Sequence, residues 1–140
     1  MKHLLTIAFL LVVLSCGQNS KSNKNNLLTS SMWTMEEQSI DEFYPKMADK
    51  YKFLTDGTCL LVSGETEIYG QWNWTKDGEI FIRPEGTFLN GQKIKADSSM
   101  GLYIKIVELT DTKFRTLERM EADNWNSGLI KERTYTALSL

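Results

Sequence analysis

The stretch ETEIYGQWNWT, residues 65–75, alternates between two kinds of side chain. One face carries Ile68, Gly70, Trp72 and Trp74, and the other carries Glu67, Tyr69, Gln71 and Asn73. Successive side chains of a β-strand point to opposite sides of its sheet, so a period of two is typical of a strand with one packed and one solvated face. We therefore predict a strand here, within an antiparallel sheet.

Seven further segments show strand-like patterns: residues 33–39, 50–55, 58–63, 79–83, 102–109, 113–118 and 129–138. Asp56-Gly57 and Asp77-Gly78 are typical of tight hairpin turns. Pro84 is expected to end the strand at 79–83, because proline cannot donate to a sheet ladder. The longer loops are predicted at residues 40–49, 87–101 and 119–128, and only residues 41–48 have short-helix character.

Eight strands with a turn about every ten residues favour an all-β fold. Closing such strands into a ring removes exposed sheet edges. The predicted fold is therefore a small antiparallel up-and-down, lipocalin-like barrel of about eight strands. An open β-sandwich is the alternative.

Several of these pieces together resemble the small lipocalin-like domains of Bacteroidota lipoproteins. They are Trp33, YKFLTDGT at 51–58, GQWNW at 70–74 and DGEI at 77–80. The resemblance covers residues 28–117 and implies a lipocalin-like β-barrel domain at 28–140 that binds or carries a small apolar ligand, although it does not specify which ligand. Two departures concern the G-x-W motif of classical lipocalins. Ser31 stands in place of its glycine on the first strand, and the G-x-W of this chain lies on the fourth predicted strand.

The amino-terminal segment has the pattern of a secretory signal. Lys2 precedes an almost unbroken apolar run of eleven residues at 4–14. As a helix that run would be about 16 Å long, roughly half of a bilayer core, which favours a signal peptide over a membrane-spanning helix. The sequence VLSC, ending at Cys16, resembles the lipobox of bacterial lipoproteins. The resemblance implies a signal peptide at 1–15 and a Cys16 whose thiol takes diacylglycerol and whose new amino group takes a fatty acid such as palmitate.

The segment after Cys16, GQNSKSNKNN, contains no acid and no large apolar side chain. It cannot bury enough apolar surface to fold, so we predict that residues 16–27 form the lipidated cysteine and a flexible tether. Some surface-exposed lipoproteins carry acids after the cysteine, whereas this chain carries Lys21 and Lys24. We therefore expect a protein of the bacterial cell envelope, anchored to the outer membrane and facing the periplasm.

Composition excludes several classes of function. Removal of residues 1–15 would leave 125 residues, enough for one domain, with 15 bases and 18 acids and no basic block. That balance argues against nucleic acid as a partner. The only histidine, His3, lies in the predicted signal peptide, so the rest of the chain has no histidine for catalysis or zinc binding. Cys59, within an apolar run, is predicted to be buried and inert.

Carboxylates occur in pairs, as at Glu65 and Glu67, and two such groups can hydrolyse glycosides. On the predicted strand, however, these two lie on the solvated face. The chain has no calcium loop, no phosphate-binding glycine motif and no nucleophile elbow. We therefore predict no catalytic residue, no cofactor and no metal, and a role in binding rather than catalysis.

Trp72, Trp74 and Trp125 are the candidate ligand-binding residues. Trp72 and Trp74 either line a cavity or fill the barrel, since eight strands leave an interior just wide enough for side chains. Trp125 lies in a predicted loop, where it is either a lid or partner contact or folds back on the barrel rim. If the barrel is filled, the alternative function is a structural or interaction lipoprotein that docks on another envelope protein.

The turn signals also predict which connections share an end of the barrel. Successive hairpins of a meander alternate between ends, so Asp56-Gly57 and Asp77-Gly78 are expected at one end. The connections after Arg83 and Glu118 are expected at the other. We predict that this second end is open to ligand, with Trp125 above Trp72 and Trp74.

Overall fold

A computed structural model describes residues 21–36, 48–97, 100–126 and 130–138. The predicted signal peptide at 1–15, the lipidation site Cys16 and most of the predicted loop at 40–49 lie outside the described residues.

Nine strands join in one antiparallel sheet across these described ranges. They are β1 (Met32–Met35), β2 (Lys50–Phe53), β3 (Thr58–Ser63), β4 (Thr66–Lys76), β5 (Glu79–Leu89), β6 (Gln92–Lys95), β7 (Leu102–Leu109), β8 (Lys113–Met120) and β9 (Lys131–Leu138). Strands that are consecutive in the sequence are neighbours in the sheet, with one exception. Strand β7 pairs with β5, and β6 pairs only with β5. Because β9 pairs with β1 and β4 pairs with β5, eight strands close into a barrel. The predicted up-and-down barrel is confirmed, and the open sandwich is excluded.

The interior face of the barrel follows the period of two along each strand. On β5, Ile80 and Ile82 are fully buried, and on β7 Leu102 and Ile104 occupy the paired interior positions. Glu79 and Phe81, which alternate with these two isoleucines along β5, lie on the outward face. The same alternation on all eight strands creates a single hydrophobic core.

The meander gives the barrel two distinct ends. One end, called the helix end, carries the tight turns at 54–57, 77–78 and 110–112 together with an α-helix at residues 21–30. The opposite end, called the far end, carries the turn at 64–65, the tip of the β5–β6 hairpin and residues 121–126. This arrangement confirms that Asp56-Gly57 and Asp77-Gly78 share one end and that the chain leaves β5 and β8 at the other.

The helix at residues 21–30 corrects the predicted flexible tether over residues 21–27. Leu28 is fully buried, and its carbonyl accepts a 2.9 Å hydrogen bond from the indole of Trp33 inside the barrel. Lys24 Nζ lies 2.7 Å from Asp77 Oδ1, and Asn25 Oδ1 lies 3.3 Å from Trp74 Nε1. The polar composition concealed the helix because one leucine and two polar contacts hold it, and their partners lie on β1, on β4 and in the β4–β5 turn.

Strand β5 also runs farther than predicted, because Pro84 sits at a bulge and does not end it. Gly70 pairs with Pro84, and the preceding residue of β4, Tyr69, pairs with Gly86, so Glu85 is the extra residue. A bulge leaves a backbone position outside the ladder, which is where a strand tolerates proline. Gly70 is required there, since a β-carbon would collide with the carbonyl of Arg83.

The predicted loop at 87–101 instead contains the end of β5 and the whole of β6. The two strands are joined by Asn90 and Gly91, with φ values of 51° and 77°. Positive φ at both central residues is the requirement of the tightest hairpin turns, and Asn-Gly is their most favoured sequence. The predicted loop at 119–128 also starts later, since β8 runs to Met120.

Candidate functional site

Aromatic side chains fill the interior nearest the helix end. Their ring centroids are 5.5 Å apart for Trp33 and Phe114, 5.4 Å for Phe53 and Trp72, and 6.2 Å for Phe53 and Phe114. These spacings are within the range of packed aromatic pairs. Leu28 closes this layer from the helix side, where it is fully buried. The interior at the helix end is therefore occupied by the protein's own side chains.

Two of the predicted ligand-binding residues belong to this helix-end layer. Trp72 and Trp74 are neighbours, with ring centroids 6.1 Å apart. The indole of Trp72 donates to the carbonyl of Leu54 at 3.0 Å, and that of Trp74 donates to Asn25. Trp72 is only 7 % exposed. Trp74 thus joins the barrel to its helix, and Trp72 packs beside it in the barrel core.

Trp125 lies elsewhere, on the outer wall of the barrel. Its indole donates a 3.1 Å hydrogen bond to Glu79, which points away from the interior. The guanidinium of Arg119 lies 4.8 Å from the Trp125 ring centroid and 3.9 Å from that of Tyr103, so it is stacked between the two rings. Trp125 was predicted to lie above Trp72 and Trp74. It does not, because Glu79 and Arg119 hold its loop against the outer wall. A ligand-binding role for the three tryptophans stays a prediction.

A polar cluster occupies the interior between the aromatic layer and the far end. The carboxylate of Glu118 is its centre. Tyr135 and Thr116 donate to its Oε1 at 2.6 Å and 3.0 Å, and Tyr51 lies 3.4 Å from its Oε2. Tyr51, Thr116 and Tyr135 are fully buried, and Glu118 is 8 % exposed. Three hydroxyl groups from three strands thus converge on one buried acid.

Burial governs the protonation of this cluster. Loss of hydration raises the pKa of Glu118, although hydrogen bonds from Tyr135 and Thr116 and the charge of Arg133 act in the opposite direction. Burial likewise raises the pKa of Tyr51 and of Tyr135 well above the ordinary value. Both phenols therefore stay neutral donors at physiological pH.

Arg133 is the cationic neighbour of the Glu118 cluster. It is opposite Thr116 in the β8–β9 register, so its side chain starts from an interior position, and it is partly exposed. Lys131 is opposite Glu118 in the same register. The site therefore combines a buried acid, neutral hydroxyl groups and a positive charge toward the far end. That set of groups can hydrogen-bond the polar head of a small molecule.

The sequence contained a signal for Glu118 that was not recognised. Phe114, Thr116 and Glu118 are two residues apart, so a strand that buries Phe114 places Glu118 in the interior as well. Leu117 and Met120 obscured this pattern, because they put apolar residues on both faces of β8. Alternation alone therefore did not reveal which face was inside.

The remaining sequence-predicted residues match their expected surroundings. Cys59 is buried, and burial raises the pKa of its thiol to about 12. Glu65 and Glu67 are exposed.

No three His, Cys, Asp or Glu side chains are grouped so as to hold a metal ion in the part of the chain that the structure describes. Among the described residues, no helix has both the length and the apolar character needed to cross a membrane.

Comparison with known proteins found no matching family model, no matching curated protein and no matching solved structure.

Proposed function

We propose that this protein is a lipid-anchored lipoprotein of the bacterial cell envelope whose barrel binds a small apolar or amphiphilic ligand at the Glu118 cluster. The role is binding and not catalysis. The membrane is its partner through Cys16, and neither a cofactor nor nucleic acid takes part.

The buried cluster of Tyr51, Thr116, Glu118 and Tyr135 carries this proposal. A buried carboxylate costs several kcal/mol in lost hydration, and apolar residues of similar volume often stabilise a core better. The interior at the helix end is filled with such residues. A polar group in that setting is therefore a candidate for function, because perturbed and buried titratable groups concentrate at binding and catalytic sites.

Binding can be tested with dodecanoic acid, dodecanol and dodecylamine, which share one chain and differ in their polar head. Titration of each, followed by intrinsic tryptophan fluorescence and by calorimetry, should reveal saturable binding of at least one. Glu118→Gln or Tyr51→Phe should then weaken it about tenfold, the loss expected for one hydrogen bond to a charged group. Tyr103→Phe, on the outer wall, is the control and should leave affinity unchanged. Binding that none of the interior variants alters would place the ligand elsewhere.

The lipid anchor is tested separately by metabolic labelling with an alkyne fatty acid. Wild-type chain should incorporate the label and partition with membranes, whereas Cys16→Ala should do neither. Label that persists in Cys16→Ala would exclude Cys16 as the anchor.

A second function, docking of a filled barrel on another envelope protein, is favoured by one observation. The outer wall displays Phe81 and Tyr103 with ring centroids 4.6 Å apart, with Arg83 over the Phe81 ring at 5.1 Å. Aromatic residues and arginine are enriched at the energetic centres of protein interfaces.

The two functions predict different results from the same titrations. If none of the three dodecyl compounds binds, the docking function gains support. A photocrosslinking residue at position 81 should then capture an envelope protein in cells, while the same residue at Val107, exposed on β7, should not. Equal capture at both positions would contradict docking through this wall.

A further inference from the structure

The position of the helix at residues 21–30 constrains how an anchored barrel sits on its membrane. Three contacts hold this helix to the helix end: the buried Leu28 against Trp33, Lys24 with Asp77, and Asn25 with Trp74. These partners lie on β1, on β4 and in the β4–β5 turn. The helix is therefore joined to the barrel at several points around one end.

The chain leaves little distance between that helix and the proposed anchor. Four residues separate Cys16 from residue 21. Fully extended backbone spans at most about 3.6 Å per residue, so Cys16 lies within about 18 Å of residue 21 in any conformation. The barrel itself is longer than this. The ten residue steps of β5 correspond to about 33 Å along the strand and to about 25 Å along a barrel axis at the usual tilt.

From these lengths we infer that the helix end faces the anchoring bilayer and that the far end points away from it. This orientation rests on the proposed lipid anchor at Cys16. It has a consequence for the proposed ligand. The Glu118 cluster lies between the aromatic layer and the far end, so in this orientation the ligand arrives from the aqueous compartment or from a second protein and not directly from the anchoring membrane.

Energy transfer from labelled sites to a lipid acceptor tests the orientation. Asp111→Cys places a fluorophore in the β7–β8 turn at the helix end. Gln92→Cys and Glu65→Cys place it at two sites of the far end. The full, lipidated chain is reconstituted into phosphatidylcholine vesicles that carry a headgroup acceptor. The thiol of Cys16 is blocked by its lipid, and Cys59 is buried with a pKa raised to about 12, so the introduced cysteine is the one that reacts.

The helix-end label should transfer energy about threefold or more strongly than either far-end label, given the axial separation of about 25 Å. Similar transfer from all three sites, or stronger transfer from position 92 or 65, would overturn the orientation. Flotation of the protein with the vesicles distinguishes failure of the proposed lipid anchor from failure of the proposed orientation. If the wild-type chain fails to float, the anchor is absent and the orientation falls with it; if it floats but the transfer is equal, only the orientation is wrong.

Discussion

The phenol of Tyr135 donates a 2.6 Å hydrogen bond to Oε1 of Glu118 inside the barrel. Both residues are buried, and they lie on the neighbouring strands β9 and β8. Around this contact the interior changes from an aromatic layer at the helix end to a polar cluster nearer the far end. The consequences of this pair for stability can be measured directly.

Glu118 should make stability depend on pH. Because its pKa is raised on folding, the folded state binds the proton more tightly than the unfolded state does. The free energy of unfolding should therefore fall as pH rises from the ordinary carboxyl value of 4.5 to the raised value, and level off above it. Glu118→Gln should abolish this slope in denaturant titrations run across that range. Glu65→Gln, which removes an exposed carboxylate, is the control and should keep the wild-type slope.

Tyr135→Phe should lower the free energy of unfolding by about 1.5–3 kcal/mol near neutral pH, the contribution of a hydrogen bond to a charged group. It should also raise the pKa of Glu118 further, because the hydrogen bond that favours its charged form is lost. Urea denaturation gives the first quantity and its pH dependence the second. Tyr103→Phe on the outer wall is the matched variant. Equal losses of unfolding free energy for Tyr135→Phe and Tyr103→Phe would mean that the hydrogen bond to Glu118 adds nothing to stability.

Leu28→Ala tests whether the helix at residues 21–30 is part of the barrel core. Truncation of a fully buried leucine should destabilise the protein by about 2–5 kcal/mol. Leu54→Ala, at a leucine that is 42 % exposed, should change stability by no more than about 0.5 kcal/mol. Thermal or urea unfolding measures both. A Leu28→Ala loss as small as that of Leu54→Ala would show that the helix is not held to the barrel.

Gly70→Ala should disturb the closure of the barrel between β4 and β5. The new β-carbon would collide with the carbonyl of Arg83, which is backbone and cannot rotate away. We expect a loss of about 2–3 kcal/mol, as for overpacked sites. Gly64→Ala separates this collision from backbone strain: its φ is 60° but nothing lies within 4 Å of a β-carbon there, so its loss should be about 1 kcal/mol. Equal losses would contradict the steric explanation.

Cys59 should resist alkylation in the folded protein. Its buried thiol has a pKa raised to about 12, so almost none of it is thiolate at pH 8, and thiolate is the reactive form. Iodoacetamide should therefore label position 59 slowly in buffer and rapidly in denaturant, as followed by mass spectrometry of the Cys16→Ala chain. Rapid labelling under native conditions would place the thiol at the surface.

The alternation at residues 65–75 and the turn signals at Asp56-Gly57 and Asp77-Gly78 determined most of this fold. These are local properties: side chains alternate by backbone geometry, and a tight turn needs particular residues at its two central positions. Asn90-Gly91 was an equally local signal for the β5–β6 hairpin. It was missed because Pro84 was taken to end the strand, whereas the bulge opposite Gly70 accommodates it.

The candidate site was decided by tertiary structure. Glu118 is one of several acids in the sequence, and it became distinctive only when strand closure brought Tyr51 across the barrel to a residue 67 positions away. Trp125 lies against the barrel wall, as expected if its loop folds back, and not above Trp72 and Trp74; its partners Glu79 and Arg119 are adjacent only after β5, β7 and β8 pair. The helix at residues 21–30 needs Trp33, Trp74 and Asp77 to hold it. Sequence alone indicates which face of a strand is apolar, but which polar groups meet inside the barrel depends on contacts between residues distant in the chain.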